Sequence, residues 1–177
     1  MRLFFAVFPD SETRRRVAAA AEAFVLDDES RRVPCENYHL TLAFIGEVQR
    51  ETLVWLKAVG AAQRALEFTV RLDRYEYWPT PSVVVAGAAS CPAPLEDLRR
   101  GLHADLTRCA VRLDERPFRP HVTIARKVSQ APVLQAMSEI TWTARAFQLA
   151  LSVSAPGGAI YTVVDSWPLL DKAANAR

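Results

Sequence analysis

Two tetrapeptides hold the residue types best suited to moving protons: His39-Leu40-Thr41-Leu42 and His121-Val122-Thr123-Ile124. An imidazole gives or accepts a proton near neutrality, its ordinary pKa being about 6.5. Two histidines on opposite sides of one phosphorus atom make an acid and a base. One would deprotonate the attacking oxygen while the other protonates the departing oxygen, each worth very roughly 10²–10⁴-fold. The hydroxyls of Thr41 and Thr123 would then hold non-bridging phosphate oxygens. No carboxylate accompanies the histidines at metal-ligand spacing, so the expected chemistry uses no metal and no cofactor. A glycine-rich phosphate loop and a nucleophile-elbow serine are both missing.

Both tetrapeptides alternate polar and apolar residues, the period of a half-buried strand. Residues i and i+2 share a face, so each strand shows its His and Thr to one side and two aliphatics to a core. One such strand is ordinarily structural. Here two of the chain's three histidines occupy the same slot of the same pattern, 82 positions apart (121 minus 39). That repetition favours function and suggests two related halves. His103 sits beside a leucine stripe without a matching threonine, and reads as structural or surface.

Several other elements must position these strands. Arg2 to Phe8 is a buried-type strand. Asp10 or Ser11 caps a helix expected to run to about Leu26, and Asp27 to Arg32 is a charged loop. A second helix is expected over about Arg50 to Ala65 and a third over Pro92 to Cys109, where Leu95, Leu98, Leu102 and Leu106 recur at helical spacing. Phe68 to Trp78 and Ser82 to Ala88 read as two strands joined at Pro79-Thr80-Pro81. A short helix is expected over Ala131 to Met137. Thr141 to Ser152 and Ile160 to Trp167 are the last strands, turned at Pro156-Gly157-Gly158.

Composition narrows the class. Half of the 177 residues are hydrophobic, enough for a core. The formal charge is +2, so affinity for a polyanion must come from local placement. Cys35, Cys91 and Cys109 fit neither a zinc knuckle nor a disulfide framework, and are expected to be reduced. The apolar start is too short for a signal h-region, and no run approaches membrane-spanning length. A cytoplasmic protein, monomeric and away from membranes, is expected.

The residues resemble a known family: the bacterial and archaeal RNA 2′,3′-cyclic phosphodiesterases, or 2′-5′ RNA ligase-like proteins, of the two-histidine phosphoesterase superfamily. Arg2-Leu3-Phe4-Phe5-Ala6 opens the chain as such proteins open. Val33-Pro34, Glu36 to Leu42 and Phe44-Ile45-Gly46-Glu47-Val48 resemble the extended first motif, and Arg119 to Arg126 the second. Gly158, Tyr161 and Trp167-Pro168-Leu169 fall where the family's closing strand and tail lie. One place departs: Arg32 stands where members commonly carry a tryptophan.

The resemblance implies a bilobal α+β fold spanning residues 1–177 as one domain, with two antiparallel sheets facing a central cleft and helices outside. It implies hydrolysis of RNA 2′,3′-cyclic phosphate ends, or of small cyclic nucleotides, to 2′-phosphomonoesters. A ribose hydroxyl replacing water would give 2′-5′ ligation. By position His39 would be the proton donor and His121 the proton acceptor, with Thr41 and Thr123 on the phosphate. The alternative is a non-catalytic nucleotide- or RNA-binding module using the same cleft.

Further candidates surround the motifs. Arg126 lies, by strand parity, on the face opposite His121 and Thr123; a bend at the strand end would return it to the phosphate. Arg112, Arg116, Arg119 and Lys127 add positive charge near the second motif, partly offset by Asp114 and Glu115. Of the aromatics near the first motif and tail (Phe8, Tyr38, Phe44, Tyr161), Phe8 and Tyr161 are the best placed to stack on a terminal base.

Overall fold

A computed structural model describes residues 1–171 except 23, 110, 115 and 157, so Gly157 of the expected turn and Glu115 lie outside the described residues. The strands are β1 (Arg2–Val7), β2 (Arg31–Arg32), β3 (Leu40–Glu47), β4 (Phe68–Leu72), β5 (Arg74–Trp78), β6 (Val83–Gly87), β7 (His121–Arg126), β8 (Ile140–Ala144), β9 (Ala146–Ala155) and β10 (Gly158–Pro168). The helices are α1 (Ser11–Ala21), α2 (Thr52–Ala62) and α3 (Ala93–Arg108). Two four-stranded antiparallel sheets result, ordered β10-β9-β1-β3 and β2-β7-β6-β5, with β4-β8 as a separate ladder. The architecture is α+β. The first sheet carries the first His motif on its edge strand β3; the second carries the other on β7.

Strand β1 is buried on both of its faces. Leu3, Phe5 and Val7 enter the main core with Val17 of α1, Leu56 of α2, the four leucines of α3 and Phe147 and Leu149 of β9. Phe4 and Ala6 point the other way, into a small second cluster with Ala150, against which Phe8 and Tyr161 pack. The alternation within a continuous apolar run therefore serves two apolar layers, as a strand covered on both sides requires. Gly60 of α2 permits one close approach. A Cβ there would meet the Trp167 ring at 2.5 Å, so only a glycine lets that indole lie against the helix.

Several boundaries differ from the sequence expectation. Asp10 is the N-cap of α1, its carboxylate accepting from Thr13 N at 2.7 Å. The helix stops at Ala21 rather than near Leu26, because Phe24 turns into the core. Phe68 to Trp78 is two strands, broken at Asp73: β4 pairs with β8 and β5 with β6. Asp73 accepts from the Ala89 amide there, fixing the corner. The run from Thr141 to Ser152 divides likewise at Arg145, between β8 and β9. Residues 131–139 are not helical. Val133 is 89% exposed and Leu134 is exposed too, and of this stretch's apolar side chains Met137 alone packs against the core, too narrow a stripe to dock a helix.

No helix among the described residues is long and apolar enough to cross a membrane. Cys35, Cys91 and Cys109 are free thiols.

Candidate active site

A cleft of about 1210 Å³ separates the two sheets, and His39, Thr41, His121 and Thr123 all line it. Pairing explains why both pairs face inward. Thr41 lies opposite Ala6, a cleft-face residue of β1. His121 and Thr123 lie opposite Gly87 and Val85 of β6, two positions apart and so on one face.

The two rings are held alike. His39 Nδ1 lies 2.7 Å from the Asn37 carbonyl, and His121 Nδ1 lies 2.7 Å from the Arg119 carbonyl. A carbonyl only accepts, so each Nδ1 carries the hydrogen and each Nε2 is left to the cleft. Burial pushes His39 down to about 4, opposed by the Asn37 carbonyl and reinforced by the charges of Arg126 and His121. His121 is also lowered, chiefly by burial; the Arg119 carbonyl opposes, Arg126 lowers it further and Glu76 raises it. Both rings are therefore neutral in the free protein at neutral pH, and both line the same cleft.

Simple parity aims Arg126 away from the cleft, and a β-bulge reverses that. The β6–β7 register slips between Val84 and Val85, so Ala125 pairs with Val84 and Arg126 with Val83. The extra residue, Ile124, shifts the phase of the residues after it. Val83 shares a face with Val85 and Gly87, so Arg126 joins His121 and Thr123 and lines the cleft. The first motif bulges at the same place: Ala43 pairs with Phe5 and Thr41 with Ala6, leaving Leu42 extra. Phe44 therefore occupies the slot that Arg126 fills in the second motif, and it too lines the cleft.

The two bulges are supported differently. The Ile124 carbonyl accepts from the Val33 amide at 2.9 Å, at the end of β2. Strand β3 is an edge and has no such neighbour. His103 of α3 supplies the missing donor, its Nε2 lying 3.3 Å from the Leu42 carbonyl. His103, read from sequence as structural or surface, thus has a specific partner within the motif, and it also lines the cleft.

Aromatic rings pack on both histidines. Phe4, Phe8 and Tyr161 lie 4.8, 5.5 and 5.0 Å from His39, and Trp78 lies 4.5 Å from His121, centroid to centroid. Tyr161 lines the cleft, whereas Phe8 packs behind His39 and is absent from the lining. Sequence reasoning did not single out Phe4 or Trp78. The alternating Arg74-Tyr75-Glu76-Tyr77-Trp78 was the available signal for Trp78. Glu76 organises that corner: it accepts from Trp78 Nε1 at 2.8 Å and pairs with Arg119, whose guanidinium also lies over the Trp78 ring.

Other candidates separate. Arg112, Arg116 and Arg119 line the cleft, while Lys127 and Tyr38 do not. Tyr38 is buried, and that burial pushes its hydroxyl up to about 12. Arg32 reaches the end of α1, donating to the carbonyls of Ala21 and Phe24, the latter at 2.6 Å. The residue at the departure from the family pattern thus caps a helix, and it is not part of the cleft lining. No three His, Cys, Asp or Glu side chains gather as a metal-binding group among the described residues.

Comparison with known proteins gives this geometry a lineage. The sequence profile of the 2′-5′ RNA ligase superfamily matches residues 9–155. An RNA 2′,3′-cyclic phosphodiesterase of Thermus thermophilus is 35% identical, over 96% of this chain and 90% of its own. Another from Escherichia coli is 31% identical, over 95% and 96%. The crystal structure of E. coli LigT complexed with 3′-AMP superposes with a TM-score of 0.89 at 31% identity, covering 95% of this chain and 97% of that one. Profile, relatives and fold all extend over nearly the whole length that carries the two His-Thr strands, and on that ground the chain belongs to the 2′-5′ RNA ligase superfamily.

Proposed function

We propose that the protein hydrolyses the 2′,3′-cyclic phosphate at RNA 3′ ends, or on small cyclic nucleotides, to a 2′-phosphomonoester. The observation that carries this reading is the paired placement of two Nδ1-anchored imidazoles, each two residues from an inward threonine, on opposite walls of one cleft. The Thermus thermophilus and Escherichia coli relatives bear the name of that activity.

In this reading the cyclic phosphate sits between the rings. Thr41, Thr123 and Arg126 bind its non-bridging oxygens. His121 Nε2 takes a proton from water as the water oxygen bonds to phosphorus. The bond from phosphorus to the 3′ oxygen breaks, and His39 Nε2 gives its proton to that oxygen. His39 must enter protonated although burial disfavours this in the free protein. The bound phosphate anion supplies the compensation, since a nearby negative charge favours the imidazolium. Assignment of acid and base follows the family resemblance, because both rings offer the same atom to the cleft. Side chains supply both proton transfers and the anion contacts, so the route asks nothing of a metal.

The test is incubation of a nucleoside 2′,3′-cyclic phosphate with the protein in EDTA, with the product phosphate located by its position on the ribose. A 2′-monoester, lost in His39→Ala and His121→Ala, is the expected result. Binding without turnover would instead favour a non-catalytic module.

A further inference from the structure

The cleft extends beyond the phosphate site. Small-ligand pockets commonly run about 300–1,000 Å³, and this one reaches about 1210 Å³. One wall continues past the His39 floor along the first sheet. Phe4 lies beneath His39, and Arg2 precedes it by two residues on the same strand, about 7 Å away at the usual rise. Phe44 pairs directly with Phe4, so both rings share the cleft face. Ser152 pairs with Arg2, and Arg2, Phe44, Ser152 and Ser154 all line the cleft.

Two features make this patch unlike an ordinary surface. Phe44 is 45% exposed between the buried residues Ala43 and Ile45, because the bulge at Leu42 turns it inward. The guanidinium of Arg2 lies over its ring, 5.0 Å from the centroid. Arg2, like Arg99, Arg112 and Arg126 of the same cleft, forms no ion pair among the described residues, whereas Arg116 and Arg119 are tied to Asp114 and Glu76. The slot that holds a cation after the second motif thus holds, after the first, an aromatic ring with a cation laid on it.

We propose that Arg2 and Phe44 form a subsite for the nucleotide that precedes the terminal one in an RNA strand. The ring stacks that nucleotide's base, and the base releases the guanidinium to the phosphodiester joining the two nucleotides. Ser152 offers a hydroxyl beside it. Stacking on an exposed aromatic is the sequence-tolerant way to hold single strands, and an arginine is the matching phosphate partner. This rests on the proposed cyclic phosphodiesterase activity and adds a preference for RNA ends over mononucleotides.

The experiment compares a nucleoside 2′,3′-cyclic phosphate with a dinucleotide ending in the same cyclic phosphate. The wild type should show a kcat/KM about tenfold higher for the dinucleotide, the size expected of one stacked base. Phe44→Ala and Arg2→Gln should each remove most of that advantage through KM, leaving mononucleotide hydrolysis within about twofold. Equal kcat/KM for the two substrates, or equal losses on both in the variants, overturns the subsite while the activity stands. Turnover of neither substrate overturns the activity itself, and the subsite with it.

Discussion

The buried imidazole of His39 should make stability fall with acid in a way that its removal cancels. Its pKa is about 4 in the folded protein against an ordinary 6.5. The unfolded chain therefore binds a proton that the folded chain refuses between those values. Stability contributed by the neutral ring is fully present above pH 6.5 and is lost as pH falls toward 4. Each unit corresponds to about 1.4 kcal/mol, so the wild type should lose roughly 2 kcal/mol between pH 7 and pH 4.5 through this group alone. His39→Asn retains a polar side chain without the titration. Urea unfolding followed by circular dichroism at the two pH values would give the loss for each protein. The other acid-sensitive groups, including His103 and His121, titrate in both proteins and largely cancel in the difference. The variant should lose roughly 2 kcal/mol less than the wild type. Equal losses would refute the claim that burial holds this ring neutral.

Arg126 lowers both histidines, so Arg126→Gln should raise both. The base limb and the acid limb of the kcat/KM profile should then move together toward higher pH, besides any loss of phosphate binding; unmoved limbs would contradict the bulge geometry. His103→Leu removes the only side-chain donor described for the Leu42 carbonyl and should cost about 1 kcal/mol in urea unfolding, with His103→Gln recovering part of it. A leucine variant as stable as the wild type would mean that water serves that carbonyl equally well.

How much was legible beforehand depends on the range of the interaction. The two His-Thr strands were readable because alternation within four residues is a local property, and a repeated local pattern survives whatever surrounds it. The leucine stripe of α3 and the Asp10 cap were readable for the same reason. The divided strands at Asp73 and Arg145 were not, since each half is a good strand and only the choice of partner sheet separates them. The expected helix over 131–137 failed where local composition had no tertiary surface to support it.

The primary structure alone therefore determined which chemistry is available: two imidazoles, two hydroxyls and inward-facing strands to carry them. Tertiary structure decided what joins them. Arg126 and Phe44 turn into the cleft only because one extra residue directly after each threonine shifts the phase, and a bulge is set by how two strands register, not by either strand's own residues. The lowered pKa of each histidine has the same origin, for burial is a property of the walls that close around a ring.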